Sequence, residues 1–215
     1  MKGRRSHQPT VDATTRSLVF QVSAVLLGYP DDPAAIALVD TAVPNQIDTG
    51  PLHRIRGFLD WWLEQEPMQR ETCYVDTFEH RRRCSLDLTY FADGDTRRRG
   101  ESLLEIADEY RRLGVTGPVD ELPDYLPALL ELAATVSGGD EVLITHQGSI
   151  EFLRRSLTAL GSPFAEVLAA VTDVLPPITA GRDRAINRLM QEGPPTEEVG
   201  LDVAVADPVR RGGGG

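Results

Sequence analysis

Apolar side chains recur every three or four residues along most of the chain, and no sustained stretch alternates apolar with polar positions. Spacing of three and four places side chains on one face of an α-helix, whereas a half-buried strand needs a two-residue period. The longest such stretch covers residues 140–160 and carries Val142, Ile150, Leu153, Leu157 and Leu160. The pattern therefore predicts an all-α fold, a single globular helical bundle of about eight to nine helices.

Proline and acidic residues mark where several of these helices begin. Asp12 and Asp32 are predicted N-caps of the first two helices, because a short carboxylate accepts hydrogen bonds from the unpaired N–H groups of a first turn. Asp95 is predicted to cap the helix over residues 96–113, and Pro123 to begin the next one.

The composition divides the chain into three parts. Residues 1–11 are polar and basic and are predicted to be a disordered lead. Residues 12–175 carry the helical pattern and form the predicted all-helical domain. Residues 176–215 are rich in proline, glycine and acids and predict a mostly disordered, flexible tail. Within that tail, residues 182–190 have the composition of one short helix.

The charge limits the kinds of partner. The formal net charge is −11, whereas a dedicated nucleic-acid binder needs a basic face to neutralise phosphates. The sequence therefore predicts no nucleic-acid partner and favours a basic one.

The cysteines and the apolar runs bear on metal sites and on location. Cys73 and Cys84 form no CxxC pair and belong to no Cys/His cluster, so no metal site is predicted. Two isolated thiols are typical of a reduced, cytoplasmic protein. The longest apolar run, residues 22–27, is far shorter than the roughly 18 residues that a membrane span needs. We therefore expect a soluble cytoplasmic protein with no direct membrane insertion.

No catalytic constellation is visible. The four histidines lie on separate segments, and none has a serine or cysteine nucleophile at a recognised spacing. The acidic turn at residues 93–95 resembles the start of a calcium loop, but Arg98 and Leu104 stand where that loop requires glycine and glutamate. The chain is predicted to be neither an enzyme nor a cofactor carrier.

Residues 74–100 combine aromatic side chains with two arginine triplets, at 81–83 and 97–99. Tyr74 and Phe78 are four residues apart and so share one helix face. Three roles fit the arginines: they bind RNA, they pair with carboxylates of a partner protein, or they form intramolecular ion pairs with flanking acids. The net charge favours intramolecular pairs.

A second unusual run is Glu121-Leu-Pro-Asp-Tyr-Leu-Pro127. Two prolines four residues apart restrict the backbone around the start of a helix, and we expect the acids and the tyrosine to be exposed. Such a rigid acidic turn suits the rim of a basic-peptide site. The alternative interpretation is helix initiation by Pro123 alone.

Five runs of this sequence together resemble the NarJ family, the assembly chaperones or delta subunits of respiratory nitrate reductase, within the TorD-like group. The runs are Tyr-Val-Asp-Thr-Phe (74–78), Arg-Arg-Arg-Cys-Ser-Leu (81–86), Leu-Thr-Tyr-Phe (88–91), Gly-Asp-Thr-Arg-Arg-Arg-Gly (94–100) and Glu-Leu-Pro-Asp-Tyr-Leu-Pro (121–127). Leu-Gly-Tyr-Pro-Asp (27–31) is similar to the end of the family's first helix. Residues 84–87 depart from the pattern, since the family often has bulkier residues there.

The resemblance implies a system-specific chaperone that binds the N-terminal leader-like peptide of the apo catalytic (alpha) subunit of nitrate reductase. It holds that subunit for insertion of the molybdenum cofactor, before membrane attachment. The leader is basic and amphipathic, which suits an acidic chaperone. Alternatives are a chaperone of another twin-arginine-type molybdoenzyme and, in a different class, an RNA-binding helical protein. We expect a monomer or weak homodimer.

Two groups of residues follow from this interpretation. The predicted peptide-binding residues, an exposed set of aromatic and polar side chains, are Tyr74, Asp76, Phe78, Ser85, Tyr90, Glu121, Asp124 and Tyr125. The predicted structural residues, which tie the central turn to neighbouring helices, are Asp95, Arg97, Arg99, Gly100, Pro123 and Pro127.

Overall fold

The computed structural model describes residues 11–195, which form eleven α-helices and no strand. The helices are α1 (Ala13–Leu26), α2 (Pro33–Ala42), α3 (Pro51–Leu63), α4 (Pro67–Tyr74), α5 (Leu88–Asp93), α6 (Arg97–Arg112), α7 (Leu126–Thr135), α8 (Asp140–Thr145), α9 (Gln147–Leu160), α10 (Phe164–Val174) and α11 (Ala180–Glu192). The all-α prediction is confirmed. Residues 1–10 of the predicted lead and 196–215 of the predicted tail lie outside the described residues.

Two features raise the number of helices above the predicted eight to nine. The stretch 140–160 is two helices, because the backbone of His146 (φ −92°, ψ 14°) interrupts the helical conformation. The second feature is α11, within the segment predicted as a tail. It packs along α9, where Arg155 donates to Asp183 at 2.6 Å and Ile186 is buried.

The helix starts follow the predicted capping in part. Asp12 accepts from the Thr15 N–H at 2.9 Å, as predicted. Asp95 does not cap α6, because Thr96 occupies the N-cap position and the Asp95 carboxylate pairs with an arginine instead. Pro123 does not open α7 either. That helix begins at Leu126, with Pro127 in its first turn. The backbone N–H that proline lacks would have no partner within the helix at that position.

Helix α10 lies at the centre of the core, against α1, α3 and α9. Its first residue, Phe164, is fully buried among aromatic rings. The Phe164 ring centroid lies 4.8 Å from that of Phe78, 5.2 Å from that of Phe58 and 5.5 Å from that of Trp62. Burying an aromatic side chain contributes about 1.5–3 kcal/mol, so this cluster fixes the ends of α3 and α4 against α10.

Helix α4 does not stop at Tyr74 but widens into a π-helical turn, Val75–Glu79. Such turns carry an extra residue per turn and often occur at functional sites. The wider turn brings the rings of Tyr74 and Phe78 to 5.0 Å and turns both towards Phe164. A short 3₁₀ turn, Arg82–Cys84, follows and leads the chain towards α5.

The half-buried His146, at the junction of α8 and α9, leads us to expect that the folded protein is less stable in mild acid. Burial lowers the pKa of His146 below its ordinary value of 6.5, although Asp124, Asp93 and Glu105 act in the opposite direction. The neutral ring is therefore favoured in the folded state. The neutral His146 ring contributes to the free energy of unfolding above pH 6.5, and this contribution is lost as the pH falls through 6.5 towards the lowered pKa.

We expect the free energy of unfolding from urea titrations to fall between about pH 7.5 and about pH 5.5. In a His146→Gln variant the fall should be smaller. His80→Gln is the control, because the His80 ring is exposed and pairs with the exposed Asp76 carboxylate. An equal decline in the parent and the His146→Gln variant would contradict the assignment.

Candidate functional site

Three tyrosines from distant parts of the chain form what we call the tyrosine cluster: Tyr29, Tyr74 and Tyr125. The hydroxyl oxygens of Tyr74 and Tyr125 are 3.3 Å apart, and the Tyr74 hydroxyl also lies 3.3 Å from the carbonyl oxygen of Leu27, to which it donates. The Tyr29 ring meets the Tyr74 ring edge-on at 5.4 Å. Tyr74 is 5% exposed but Tyr29 is 44% exposed, so the cluster reaches from the core to the surface.

Local structure brings these rings together. Tyr29 lies in the turn that follows α1, and Tyr74 ends α4. Tyr125 directly precedes α7, in a segment that pairs with the chain before α5. There the Leu126 N–H donates to the Leu86 carbonyl at 2.8 Å and the Leu88 N–H to the Asp124 carbonyl at 3.1 Å. These two bonds form an isolated bridge that holds the Tyr125 ring beside Tyr74.

Five carboxylates lie close enough to the cluster to act on its tyrosines electrostatically, and we call them the acidic rim: Asp31, Glu71, Glu79, Asp87 and Glu121. Burial is the main cause that raises the pKa of all three tyrosines. Glu71 and Glu79 raise the pKa of Tyr29 further, and Glu121 does the same for Tyr125. An exposed aromatic edge within a ring of negative charge suits a ligand that is both apolar and basic.

A buried polar network lies under this surface. Asp124 is fully buried, and its Oδ2 accepts from the Thr89 N–H at 3.0 Å and from the Thr89 hydroxyl at 2.6 Å. Arg99 reaches Asp87 at 3.2 Å and Asp124 at 4.0 Å. Burial, followed by the charge of Asp124, raises the pKa of Asp87. The network ties the start of α5 and α6 to the segment before α7.

Some arginines of each triplet form ion pairs within the chain, as the net charge predicted. Arg82 pairs with Asp95 at 2.7 Å and Arg98 with Asp93 at 3.4 Å. The guanidinium carbons of Arg82 and Arg99 lie 5.9 and 5.8 Å from the centroid of the half-buried Tyr90 ring. Asp95 and Arg99 thus connect the central turn to its neighbours. Arg97 begins α6, and Gly100 is exposed on it.

Three of the predicted peptide-binding side chains are not exposed. Tyr74 and Phe78 are 5% and 7% exposed because their rings pack against Phe164. The expectation of an exposed carboxylate at Asp124 is also wrong, because Thr89 holds it in the interior. Helical phasing shows that two rings share a face, but it does not show whether that face points to the core.

The remaining predicted residues lie at or near the surface. Asp76 and Glu121 are exposed, and Tyr125 is half-buried in the tyrosine cluster. Ser85 is half-buried, and its hydroxyl accepts from the Asp87 N–H at 3.1 Å. Glu121 and Tyr125 therefore meet at the rim, whereas Ser85 serves the turn before α5.

The sequence reasoning missed Tyr29 as a site residue, although it lies in the Leu-Gly-Tyr-Pro-Asp run after the first helix. A large aromatic ring between glycine and proline has no helix face on which to be buried. That was the available signal for an exposed aromatic contact.

Other kinds of site lack support in the part of the chain that the structure describes. Within residues 11–195, no group of three or more His, Cys, Asp or Glu side chains is placed to hold a metal ion. None of the described helices is long and apolar enough to cross a membrane.

Comparison with known proteins bears on these same helices. Residues 49–170 match the family model described as "Nitrate reductase delta subunit". That range is more than half of the chain and includes Tyr74, Tyr125 and the buried network between them. The chain belongs to the nitrate reductase delta subunit family.

The named relatives of this chain differ in the share of their own length that the similarity covers. The Probable nitrate reductase molybdenum cofactor assembly chaperone NarJ of Bacillus subtilis is 30% identical over 166 residues, 74% of this chain and 88% of that protein. NarJ of Escherichia coli K12 is 29% identical over 123 residues, 54% of this chain and 51% of that protein. The Nitrate reductase-like protein NarX of Mycobacterium tuberculosis H37Rv is 38% identical over 157 residues, 72% of this chain. The chain spans about a quarter of the length of NarX, 24%.

Proposed function

We propose that this delta subunit family protein is an assembly chaperone for a respiratory nitrate reductase. It binds the N-terminal leader-like segment of the apo catalytic subunit and holds that subunit for molybdenum cofactor insertion before membrane attachment. The observation that carries the proposal is the family match over residues 49–170. The likeness to Bacillus subtilis NarJ, matched over 88% of its length, supports it.

The geometry of the tyrosine cluster suits such a segment. An amphipathic helix binds by placing its apolar face in a groove, and its basic side chains need carboxylates at the edge. Tyr29 and Tyr125 supply rigid aromatic contacts, a residue type enriched where binding energy concentrates. The acidic rim supplies the carboxylates and steers a basic peptide towards them.

The buried residues take a different role in this proposal. Tyr74 and Phe78 support the exposed rings from below, and Asp124 holds the segment that carries Tyr125. Asp76, Ser85 and Tyr90 remain predicted peptide contacts. The ligand therefore meets a preformed surface, and little ordering of the chaperone opposes binding.

Calorimetry with the full chain and a synthetic peptide of the catalytic subunit's first 20 or so residues tests the proposal. We expect binding that weakens as salt is added, because exposed charges are screened within about 10 Å at 0.1 M salt. Absence of binding at low salt would overturn the proposal. Retention of RNA on a filter at physiological salt would instead favour an RNA-binding protein, and equal affinity for a sulfoxide reductase leader would favour another molybdoenzyme.

Tyr29→Ala is expected to weaken peptide binding about tenfold, since truncating a central aromatic contact costs more than about 1 kcal/mol. The same titration measures it. Leu104→Ala is the matched control, because Leu104 is 65% exposed on α6 and lies outside the cluster. Equal losses for the two variants would contradict a specific role for Tyr29.

A further inference from the structure

A concave surface lies against the arginine triplet at 81–83, and we call it the arginine groove. It has a volume of about 380 Å³ and is lined by Arg81, Arg82 and Arg83 and by apolar side chains that include Leu160 and Met190. The three arginines are exposed, and Leu160 is 38% exposed. Leu160 and Met190 come from α9 and α11, so none of the tyrosine cluster contributes to this groove.

The groove carries positive charge that the described residues leave uncompensated. The Arg81 Nε donates to the Asp76 carbonyl at 3.0 Å, and the Arg83 Nη1 to the Met190 carbonyl at 2.9 Å. Both partners are neutral backbone groups. Within residues 11–195 neither Arg81 nor Arg83 forms an ion pair with a carboxylate. In a protein of net charge −11 this is an unusual surface, and it suits an acidic ligand with apolar side chains.

The described chain ends beside this groove. A Cβ atom on Gly193 would lie 3.6 Å from Nη2 of Arg83, so the chain leaves α11 past that guanidinium. The Pro195 carbonyl then touches Gly94, where a Cβ atom would overlap it. Gly94 precedes Asp95, the ion-pair partner of Arg82. The described chain therefore ends close to Arg83 and to the Arg82–Asp95 pair.

The sequence that follows has the complementary chemistry. Residues 196–205 read Thr-Glu-Glu-Val-Gly-Leu-Asp-Val-Ala-Val, with two acids directly after Thr196 and large apolar residues at alternate positions from Leu201. An extended chain advances about 3.3–3.6 Å per residue. Glu197 and Glu198 thus lie within about 7 and 11 Å of Pro195, and Leu201 within about 21 Å.

We propose that residues 196–205 of this chain occupy the arginine groove. Glu197 and Glu198 pair with Arg81 and Arg83, and Leu201 with the following valines covers the apolar floor. Exposed ion pairs contribute little each, about 0–1 kcal/mol. A short tether, however, gives the segment an effective concentration in the millimolar range, so weak pairs suffice. The docked segment screens the triplet from polyanions and acidic partners, a role separate from leader binding.

Hydrogen–deuterium exchange by mass spectrometry on the full chain at low salt tests this proposal. We expect the amides of residues 199–205 to exchange at least about tenfold more slowly than in an unstructured peptide. Glu197→Lys/Glu198→Lys should restore the unstructured rate, and these changes lie beyond the described helices. Arg81→Glu/Arg83→Glu should do the same, with helix content checked by circular dichroism. A quadruple variant that combines both double changes should recover protection, because each ion pair is then restored with its two charges exchanged.

The matched control is Arg111→Glu/Arg112→Glu, which makes the same charge change at the end of α6, where both arginines pair with exposed acids. Protection should persist there. Unstructured exchange rates in the parent would overturn the proposal, as would protection that survives both charge reversals. Protection that rises with protein concentration would also overturn it, because a second copy would then be the occupant.

Discussion

Asp124→Ala is expected to lower the free energy of unfolding by about 3 kcal/mol, because it removes one member of a buried, hydrogen-bonded charge network. Without the carboxylate, the Thr89 N–H and hydroxyl lose their acceptor in the interior, and Arg99 loses the nearby charge of Asp124 while it keeps its ion pair with Asp87. A loss of this size shifts the thermal midpoint by about 6–12 °C in a domain of this length. Urea titration and calorimetry of the parent and the variant measure both quantities.

Asp124→Asn is the control for this network. An asparagine still offers an oxygen to Thr89 but no longer carries the charge that faces Arg99, so its loss should be clearly smaller. A loss below about 1 kcal/mol in Asp124→Ala would show that the network stabilises little. Reduced peptide affinity in a variant that is still fully folded would show that Asp124 also positions Tyr125 for the ligand.

Reversing the acidic rim with Glu71→Lys, Glu79→Lys and Glu121→Lys together should weaken leader-peptide binding about 100-fold at low salt. The three changes replace attraction by repulsion, and six charge units at about 0.5 kcal/mol each sum to roughly 3 kcal/mol. Steering by charge acts mostly on association, so the on-rate should fall more than the off-rate rises. Stopped-flow or surface-based kinetics resolve the two rates.

The matched control changes the overall charge equally but away from the rim. Glu101→Lys, Glu131→Lys and Glu141→Lys reverse three exposed acids on α6, α7 and α8. If both triple variants lose affinity equally, the peptide senses only net charge. A rim variant that binds like the parent would place the site elsewhere on the molecule.

Local patterns were enough for the fold class and for the role of the arginines. Three- and four-residue spacing identifies helices because the period is a property of the backbone itself. The pairs of Arg82, Arg98 and Arg99 followed from net charge and from nearby acids in the sequence. Both inferences depend on neighbours within about 15 residues.

Which side chains are exposed was harder to predict, because burial depends on contacts with residues far along the chain. Tyr74 and Phe78 are buried by Phe164, which lies more than 80 residues further along the chain. Asp124 is drawn inside by Thr89, which lies 35 residues away. Nothing in the sequence near the buried residues indicates that Phe164 or Thr89 will contact them. The exposure of Tyr29 is the converse case, since its turn lacks a helix face.

The π-helical turn at Val75–Glu79 has a consequence for how the family tolerates insertions and deletions. An α-helix advances about 100° per residue, and a π turn accommodates one residue more than an α turn. A relative lacking one residue in this turn would continue α4 as a regular helix, with the chain after it in the same phase, because the wider turn absorbs the extra residue. Its counterpart of the 81–83 triplet would then keep its place at the edge of α9 and α11. A single gap in an alignment of this region is therefore compatible with an unchanged charged surface.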